Sequence, residues 1–141
     1  MRHGKKIHRL GRPADQRKAL LRALTTAILT HGAIKTTKEK AKAVRPWVDK
    51  MILLAKEGGD TKRKQVNAWV YDKTVVDAIF AEAPGRYAER RNDFTKMVTQ
   101  RKCPRVPPRG VHPRGGSHSH APPLSVSRRG DNANMVTLEL V

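Results

Sequence analysis

The residues of this sequence best suited to chemistry are cations grouped at its start. The first 13 residues, MRHGKKIHRLGRP, contain no acidic residue and hold five cations at Arg2, Lys5, Lys6, Arg9 and Arg12. Guanidinium and ammonium groups bind phosphate oxygens through charge-assisted hydrogen bonds, so an acid-free run of them favours a phosphate-rich partner. An ordinary solvated surface segment is the alternative explanation of any charge run.

A second acid-free stretch runs from Phe94 to Gly130 and holds eight Lys and Arg residues. Six of the nine prolines lie within residues 100–127, which also contain scattered Gly, Ser and His. This composition predicts an extended or disordered insertion rather than a packed element. The insertion is either a second basic arm or a stiff spacer whose arginines keep it soluble.

The sequence offers little for catalysis or metal binding. Its acids are scattered, and no Ser or Cys stands in a context that would activate it as a nucleophile. His118 and His120 lie close together in the Pro-rich stretch, but two histidines alone supply too few metal ligands. Cys103 is the only cysteine, which predicts a free thiol. We therefore expect neither an enzyme nor a cofactor or metal site.

Composition points in the same direction. The 141 residues are enough for one domain with one appendage, and 30 Lys and Arg against 12 Asp and Glu give a net charge of +18. No apolar run approaches the roughly 18 residues of a membrane span, so we expect a soluble, intracellular protein. Aromatic residues form only 4% of the chain, too few for the usual base-stacking platforms. Nucleic-acid binding should then rest on phosphate charge and on shape.

The elements that would position these cations can be predicted from local patterns. We expect a basic tail over residues 1–13 and a first helix from Pro13 to His31-Gly32. The apolar stripe of this helix consists of Leu20, Leu21, Leu24 and Ile28, with Leu24 in its middle. Residues 33–37 form the predicted first strand. The spacing of Thr36 and Glu39 matches a capping box for the second helix.

The second helix should run to about Glu57, with a kink or break near Arg45 because Pro46 lies inside it. Its predicted buried side consists of Ala41, Val44, Val48, Met51, Ile52 and Ala55. A third helix capped by Asp60 or Thr61 should carry Val66, Trp69 and Val70 toward the core.

A fourth helix should span Lys73 to Ala83 and stop at Pro84-Gly85. Residues 94–99 and 135–141 are rich in β-forming residues and predict two more strands. The expected domain therefore comprises residues 14–99 and 128–141, interrupted by the insertion at 100–127.

Many short blocks of this sequence resemble bacterial ribosomal protein L17 of the large subunit, in the right order over nearly the whole chain. These blocks are Met1-Arg2-His3, Leu10-Gly11-Arg12-Pro13, Asp15-Gln16-Arg17, Ala19-Leu20-Leu21-Arg22, His31-Gly32, Lys35-Thr36-Thr37, Ala41-Lys42, Leu54-Ala55-Lys56, Tyr71-Asp72-Lys73 and Arg128-Arg129-Gly130-Asp131-Asn132-Ala133. The sequence of the first half most resembles cyanobacterial and plastid members of that family. Two departures are the segment Arg91-Asn92-Asp93-Phe94-Thr95-Lys96, where the family usually has Gly-Gly-Tyr-Thr-Arg, and the long insertion.

The resemblance implies an α+β fold of two layers, with the order α-β-α-α-α-β-β and a three-stranded sheet. It implies a structural protein that binds large-subunit ribosomal RNA and contacts neighbouring ribosomal proteins near the exit tunnel, in a plastid stroma or a bacterial cytoplasm. No catalytic residue is carried over. Together with the charge pattern it gives these candidate RNA-binding residues: Arg2, His3, Lys5, Lys6, Arg9, Arg12, Arg17, Lys18, Arg22, Lys35, Arg128 and Arg129. The alternative function is that of a free basic DNA-binding or nucleoid-type protein, for which no recognition helix or dimer seam is identifiable.

Overall fold

Four helices and three strands follow one another in the order that the sequence predicts. A computed structural model describes residues 8–99, 128 and 131–141. Its elements are α1 (Ala14–His31), β1 (Ala33–Thr37), α2 (Lys38–Glu57), α3 (Asp60–Trp69), α4 (Lys73–Arg86), β2 (Thr95–Thr99) and β3 (Met135–Leu140). The predicted insertion at 100–127 and most of the predicted tail lie outside the described residues.

The sheet is antiparallel, with β3 in the centre and β1 and β2 at its sides. Along β3, Val136 and Leu138 are fully buried, whereas the intervening Thr137 is only half-buried. Ile34 of β1 and Met97 of β2 both pair with Leu138 and pack on the same core. One face of the sheet therefore covers the helices, which confirms the predicted α+β class with a three-stranded sheet.

The second helix lies at the centre of the fold and packs against all three strands and all three other helices. Its six predicted core positions are all buried, with exposures between 0 and 3%. Of the kink or break expected near Arg45, the break is wrong, because α2 is one helix across Pro46. Pro46 itself is exposed, so the hydrogen bond that its ring removes is lost on the solvent side. Tertiary packing of the buried side keeps the helix continuous.

The predicted helix caps are wrong. Thr37, not Thr36, precedes α2, and its side chain makes no capping hydrogen bond. Thr36 is buried in β1, and the Glu39 carboxylate faces His8 and Lys42 instead of the backbone. Gly59 precedes α3, so Asp60 is already helical. The strand-to-helix connection and the glycine pair at 58–59 therefore fix these helix starts without a capping side chain.

The fourth helix continues past the predicted stop at Pro84 and ends at Arg86. The next residue, Tyr87, is 4% exposed, and its ring lies edge-on to Phe94 with 5.1 Å between ring centroids. Its backbone N–H donates to the carbonyl of Ala83. Burial of Tyr87 holds the last turn in helical form, which outweighs the local preference of Pro84-Gly85 to end it.

Asp49 joins α2 to the start of β2. Its Oδ1 accepts hydrogen bonds from the Phe94 backbone N–H and the Thr95 hydroxyl, both at 3.2 Å. Burial of this carboxyl raises its pKa, and the hydrogen bond from Thr95 and the nearby charge of Arg45 oppose that shift. The contact places Phe94, one of the largest buried side chains, under the helices. No helix within the described residues is long and apolar enough to cross a membrane.

The buried line of α1 agrees with the predicted apolar stripe at Leu21 and Ile28 and differs from it at Leu24. Leu21, Thr25 and Ile28 are buried, whereas Leu24 is half-buried at the edge of the core. Thr25 tolerates complete burial because its hydroxyl donates to the Leu21 carbonyl at 2.8 Å. Gly32 ends the helix in a left-handed conformation, with φ of 73°.

Alanine substitutions in α1 test this assignment. We expect Ile28→Ala to lower the free energy of unfolding by about 2–5 kcal/mol, because the side chain is 0% exposed. Leu24→Ala should cost only about 1–2 kcal/mol, since that side chain is half-buried. Urea unfolding followed by circular dichroism measures both. Equal costs, or a larger cost at Leu24, would show that the buried line of α1 has been placed wrongly.

Candidate nucleic-acid interface

The chain before α1 lies against the start of α2. His8 Nδ1 is 3.0 Å from Glu39 Oε2, and Leu10 packs on the edge of the core. Leu10 and Gly11 both have left-handed backbone conformations, with φ of 54° and 64°. This turn, closed by a hydrogen bond from the Arg12 N–H to the Arg9 carbonyl, leaves Arg9 and Arg12 exposed at the base of α1. Two predicted RNA-binding residues of the tail are thereby fixed beside the helices.

The three predicted cations of α1 have different surroundings. Arg17 donates from Nη1 to the Arg12 carbonyl at 3.1 Å, which ties α1 to the preceding turn, and Lys18 is exposed. Arg22 donates from Nε to the Trp69 carbonyl at 2.8 Å, and its guanidinium lies over the Tyr71 ring, 4.4 Å from the centroid. Arg22 is therefore partly committed to holding the end of α3, and Arg17 is half-buried against the turn before α1, whereas Lys18 faces outward near the helix start.

Arg128 lies next to Leu10, in the segment before α1, and next to the start of α2. It lines a groove of about 430 Å³ together with Leu10, Lys38 and Lys40. Its guanidinium makes a two-pronged ion pair with Asp131, with 3.0 Å from Nε to Oδ1. This pair, together with the Ala133 backbone N–H, holds the pKa of Asp131 at about 2.

Lys35 is separated from the other candidates. It is an exposed residue of β1 opposite Thr137, on the sheet face away from the buried Thr36 and Val136. The remaining candidates, Arg2, His3, Lys5, Lys6 and Arg129, lie outside the described residues. The structure thus brings five of the seven described candidates to the end of the molecule where α1 and α2 begin. Lys35 and Arg22 lie outside this group.

Sequence reasoning missed three lysines of the same region. Lys38, Lys40 and Lys42 occupy alternate positions in the first turns of α2, and these side chains line the two grooves that flank the segment around His8–Leu10. The signal was present in the run Lys38-Glu39-Lys40-Ala41-Lys42 but was interpreted only as a helix start. We call the whole group the N-terminal basic surface; its members are Arg9, Arg12, Arg17, Lys18, Lys38, Lys40, Lys42 and Arg128.

An aromatic pocket adjoins the N-terminal basic surface. The rings of Trp47 and Trp69 stack with centroids 3.9 Å apart and planes 6° apart. Both are half-buried and pack against the core, which agrees with the predicted core position of Trp69. The Nε1 atom of Trp69 is buried, and no hydrogen-bond acceptor reaches it within the described ranges. The pocket beside this stack has a volume of about 510 Å³, and Arg17, Lys18 and Lys42 are among its lining residues.

The histidines do not assemble a catalytic group in the described part of the chain. His8 faces one carboxylate, Glu39, and His31 lies at the far end of α1. Among residues 8–99, 128 and 131–141, no group of three or more His, Cys, Asp or Glu side chains is arranged to hold a metal ion. In the described part of the chain, the side chains at the end where α1 and α2 begin form a cationic surface.

The Arg128–Asp131 ion pair can be tested in the free protein through the pKa of Asp131. The depressed pKa of Asp131 means that the pair stabilises the fold above about pH 4 and that this contribution is lost as pH falls through about 2. We expect Arg128→Gln to return the pKa of Asp131 toward the ordinary aspartate value of about 3.9. Lys40→Gln, in the same groove, is the charge-matched control and should leave the midpoint near 2. Carboxyl NMR titration measures both; a midpoint unchanged in Arg128→Gln would rule out the ion pair as the cause.

The comparison with known families agrees with this architecture. The family model described as ribosomal protein L17 matches residues 20–106, more than half of the chain. The match covers everything from the middle of α1 to the end of β2. This is a family of structural ribosomal proteins and not of enzymes. The chain belongs to the ribosomal protein L17 family and is a protein of the large ribosomal subunit.

Proposed function

We propose that this protein binds large-subunit ribosomal RNA through the N-terminal basic surface and so acts as a structural constituent that supports translation. The observation that carries the proposal is the convergence of eight cations, from the segment before α1, from two helix starts and from the segment before β3, on one end of the molecule. Cations from four separate parts of the chain meet there because the fold brings them together. A surface of this kind attracts phosphates and releases their counterions on binding.

The arrangement of acids supports the same function. Asp15, Glu39 and Asp131 are the acids of this end, and two of them are already neutralised by protein groups. Glu39 faces both His8 and Lys42, and Asp131 is paired with Arg128. The surface therefore presents a strong excess of positive charge to a partner. RNA phosphates would compete with Asp131 for Arg128, so that residue contributes to binding only at the expense of its ion pair.

Several finer features belong to the proposal. We infer that residues 1–13 act as a basic tail that extends the N-terminal basic surface, with Arg2, His3, Lys5 and Lys6 as further phosphate contacts. The core domain comprises residues 14–99 and 128–141, and residues 100–127, followed by Arg129, add a second basic arm. The resemblance of the sequence supports contacts with neighbouring ribosomal proteins near the exit tunnel, in either a plastid or a bacterial ribosome.

A matched pair of triple variants tests the role of the surface. Changing Arg17, Lys18 and Lys42 to Gln removes three charges from the N-terminal basic surface. Changing Lys64, Lys73 and Lys96 to Gln removes the same charge from exposed sites on α3, α4 and β2. The first variant should flatten the log-log dependence of RNA affinity on salt, by about 0.7–0.9 for each lost phosphate contact. The second should keep nearly the wild-type slope.

The measurement is a filter-binding titration of large-subunit RNA at several salt concentrations, with duplex DNA of equal phosphate content as the comparison. Equal slopes for the two triple variants would mean that net charge, and not this surface, governs binding. Preference for duplex DNA over the RNA would favour the DNA-binding alternative.

The tail is tested separately. Changing Arg2, Lys5, Lys6, Arg9 and Arg12 to Gln should weaken RNA binding and incorporation into large subunits. The thermal unfolding midpoint should stay nearly the same, because the described part of this segment is held by Leu10, which packs on the core, and by His8, which faces Glu39, and both are kept. Wild-type salt dependence together with wild-type incorporation in this variant would show that the tail is only a solvated leader.

A further inference from the structure

The pocket beside the two tryptophans combines features that phosphate binding alone does not require. It lies between the first half of α1, the first half of α2 and the last residue of α3. Its wall is the stacked pair Trp47 and Trp69, and Arg17, Lys18 and Lys42 are on its lining. Its volume of about 510 Å³ falls within the roughly 300–1,000 Å³ of sites that hold small organic groups.

The pairing of an aromatic wall with a cationic lining matches one kind of occupant. A nucleotide has a flat base that stacks on an indole and a phosphate that binds Lys or Arg. An apolar side chain of another protein would use the indole wall but would gain nothing from three neighbouring cations. The charge of the lining therefore favours a nucleotide over a protein side chain.

We propose that this pocket accepts an unstacked nucleobase of the RNA that binds the N-terminal basic surface. The base lies against the Trp47–Trp69 wall, and the phosphates on either side of it contact Arg17, Lys18 and Lys42. This inference rests on the proposed function and adds to it a contact that phosphate charge cannot supply. It predicts that the protein prefers RNA with unpaired bases at this position over a fully paired helix.

The sequence provides a direct reporter of occupancy, since Trp47 and Trp69 are the only two tryptophans of the chain. Intrinsic tryptophan emission thus comes entirely from the pocket wall. The full chain is titrated with an adenosine RNA octamer and with an abasic ribose-phosphate octamer of the same charge. We expect about fivefold or more tighter binding of the adenosine octamer, with quenching of emission by that octamer only.

A second pair of variants localises the effect. Ala14 lines the pocket and is exposed, whereas Ala19 is an exposed residue of the same helix outside the pocket lining. Ala14→Leu places extra volume in the pocket and should abolish both the preference for bases and the quenching. Ala19→Leu adds the same side chain to α1 and should leave both unchanged.

The outcomes separate this inference from the proposed function. Salt-dependent binding of both octamers with equal affinity and without quenching would overturn the pocket assignment. The occupant of the pocket would then be the chain's own tail or a protein side chain, and the proposal of phosphate binding would stand. A base preference that survives Ala14→Leu would also overturn it, because the base would then lie elsewhere. Lack of salt-dependent binding to either octamer would contradict the proposed function as well.

Discussion

Burial of α2 is the interaction on which the rest of the structure depends. Val44 and Val48 are fully buried and Ile52 is 1% exposed, and the helix contacts every other helix and strand. A chain with a net charge of +18 opposes its own compaction, so one shared apolar element must hold the layers together. Because α2 is anchored along its whole buried side, its first turns present Lys38, Lys40 and Lys42 in fixed positions. Core and candidate interface are thus two sides of the same helix.

The cations fall into two groups, those held by other groups of the protein and those that are exposed. Arg22 and Arg128 are held by protein groups, the first by the Trp69 carbonyl and the Tyr71 ring and the second by Asp131. Arg45 is likewise paired with Asp93 at 2.8 Å. Lys18, by contrast, is exposed on the outward side of α1. The protein therefore uses some cations to tie its own segments together and leaves others exposed, and only geometry distinguishes the two groups.

Much of the fold could be predicted from the sequence, because hydrophobic periodicity and glycine stops are local signals. The buried side of α2 and the bounds of β1 follow directly from them. The predictions failed where contacts between residues far apart in the sequence determine the local structure. The helix α4 continues past Pro84 because Tyr87 is buried against Phe94, and Thr36 is buried in the sheet instead of capping a helix. The tryptophan wall was missed for the same reason, since residues 47 and 69 meet only in the folded chain.

Lysine reactivity in the intact chain tests the central claim most directly. Acetylation is compared, residue by residue and by mass spectrometry, in the free protein and in the complex with large-subunit ribosomal RNA. If the N-terminal basic surface binds the RNA, then Lys18, Lys38, Lys40 and Lys42 become protected, whereas the exposed Lys64, Lys73 and Lys96 keep the reactivity of the free protein. Protection of the second group, with Lys18 and the α2 lysines unchanged, would contradict the account and place the RNA on the opposite elements of the fold.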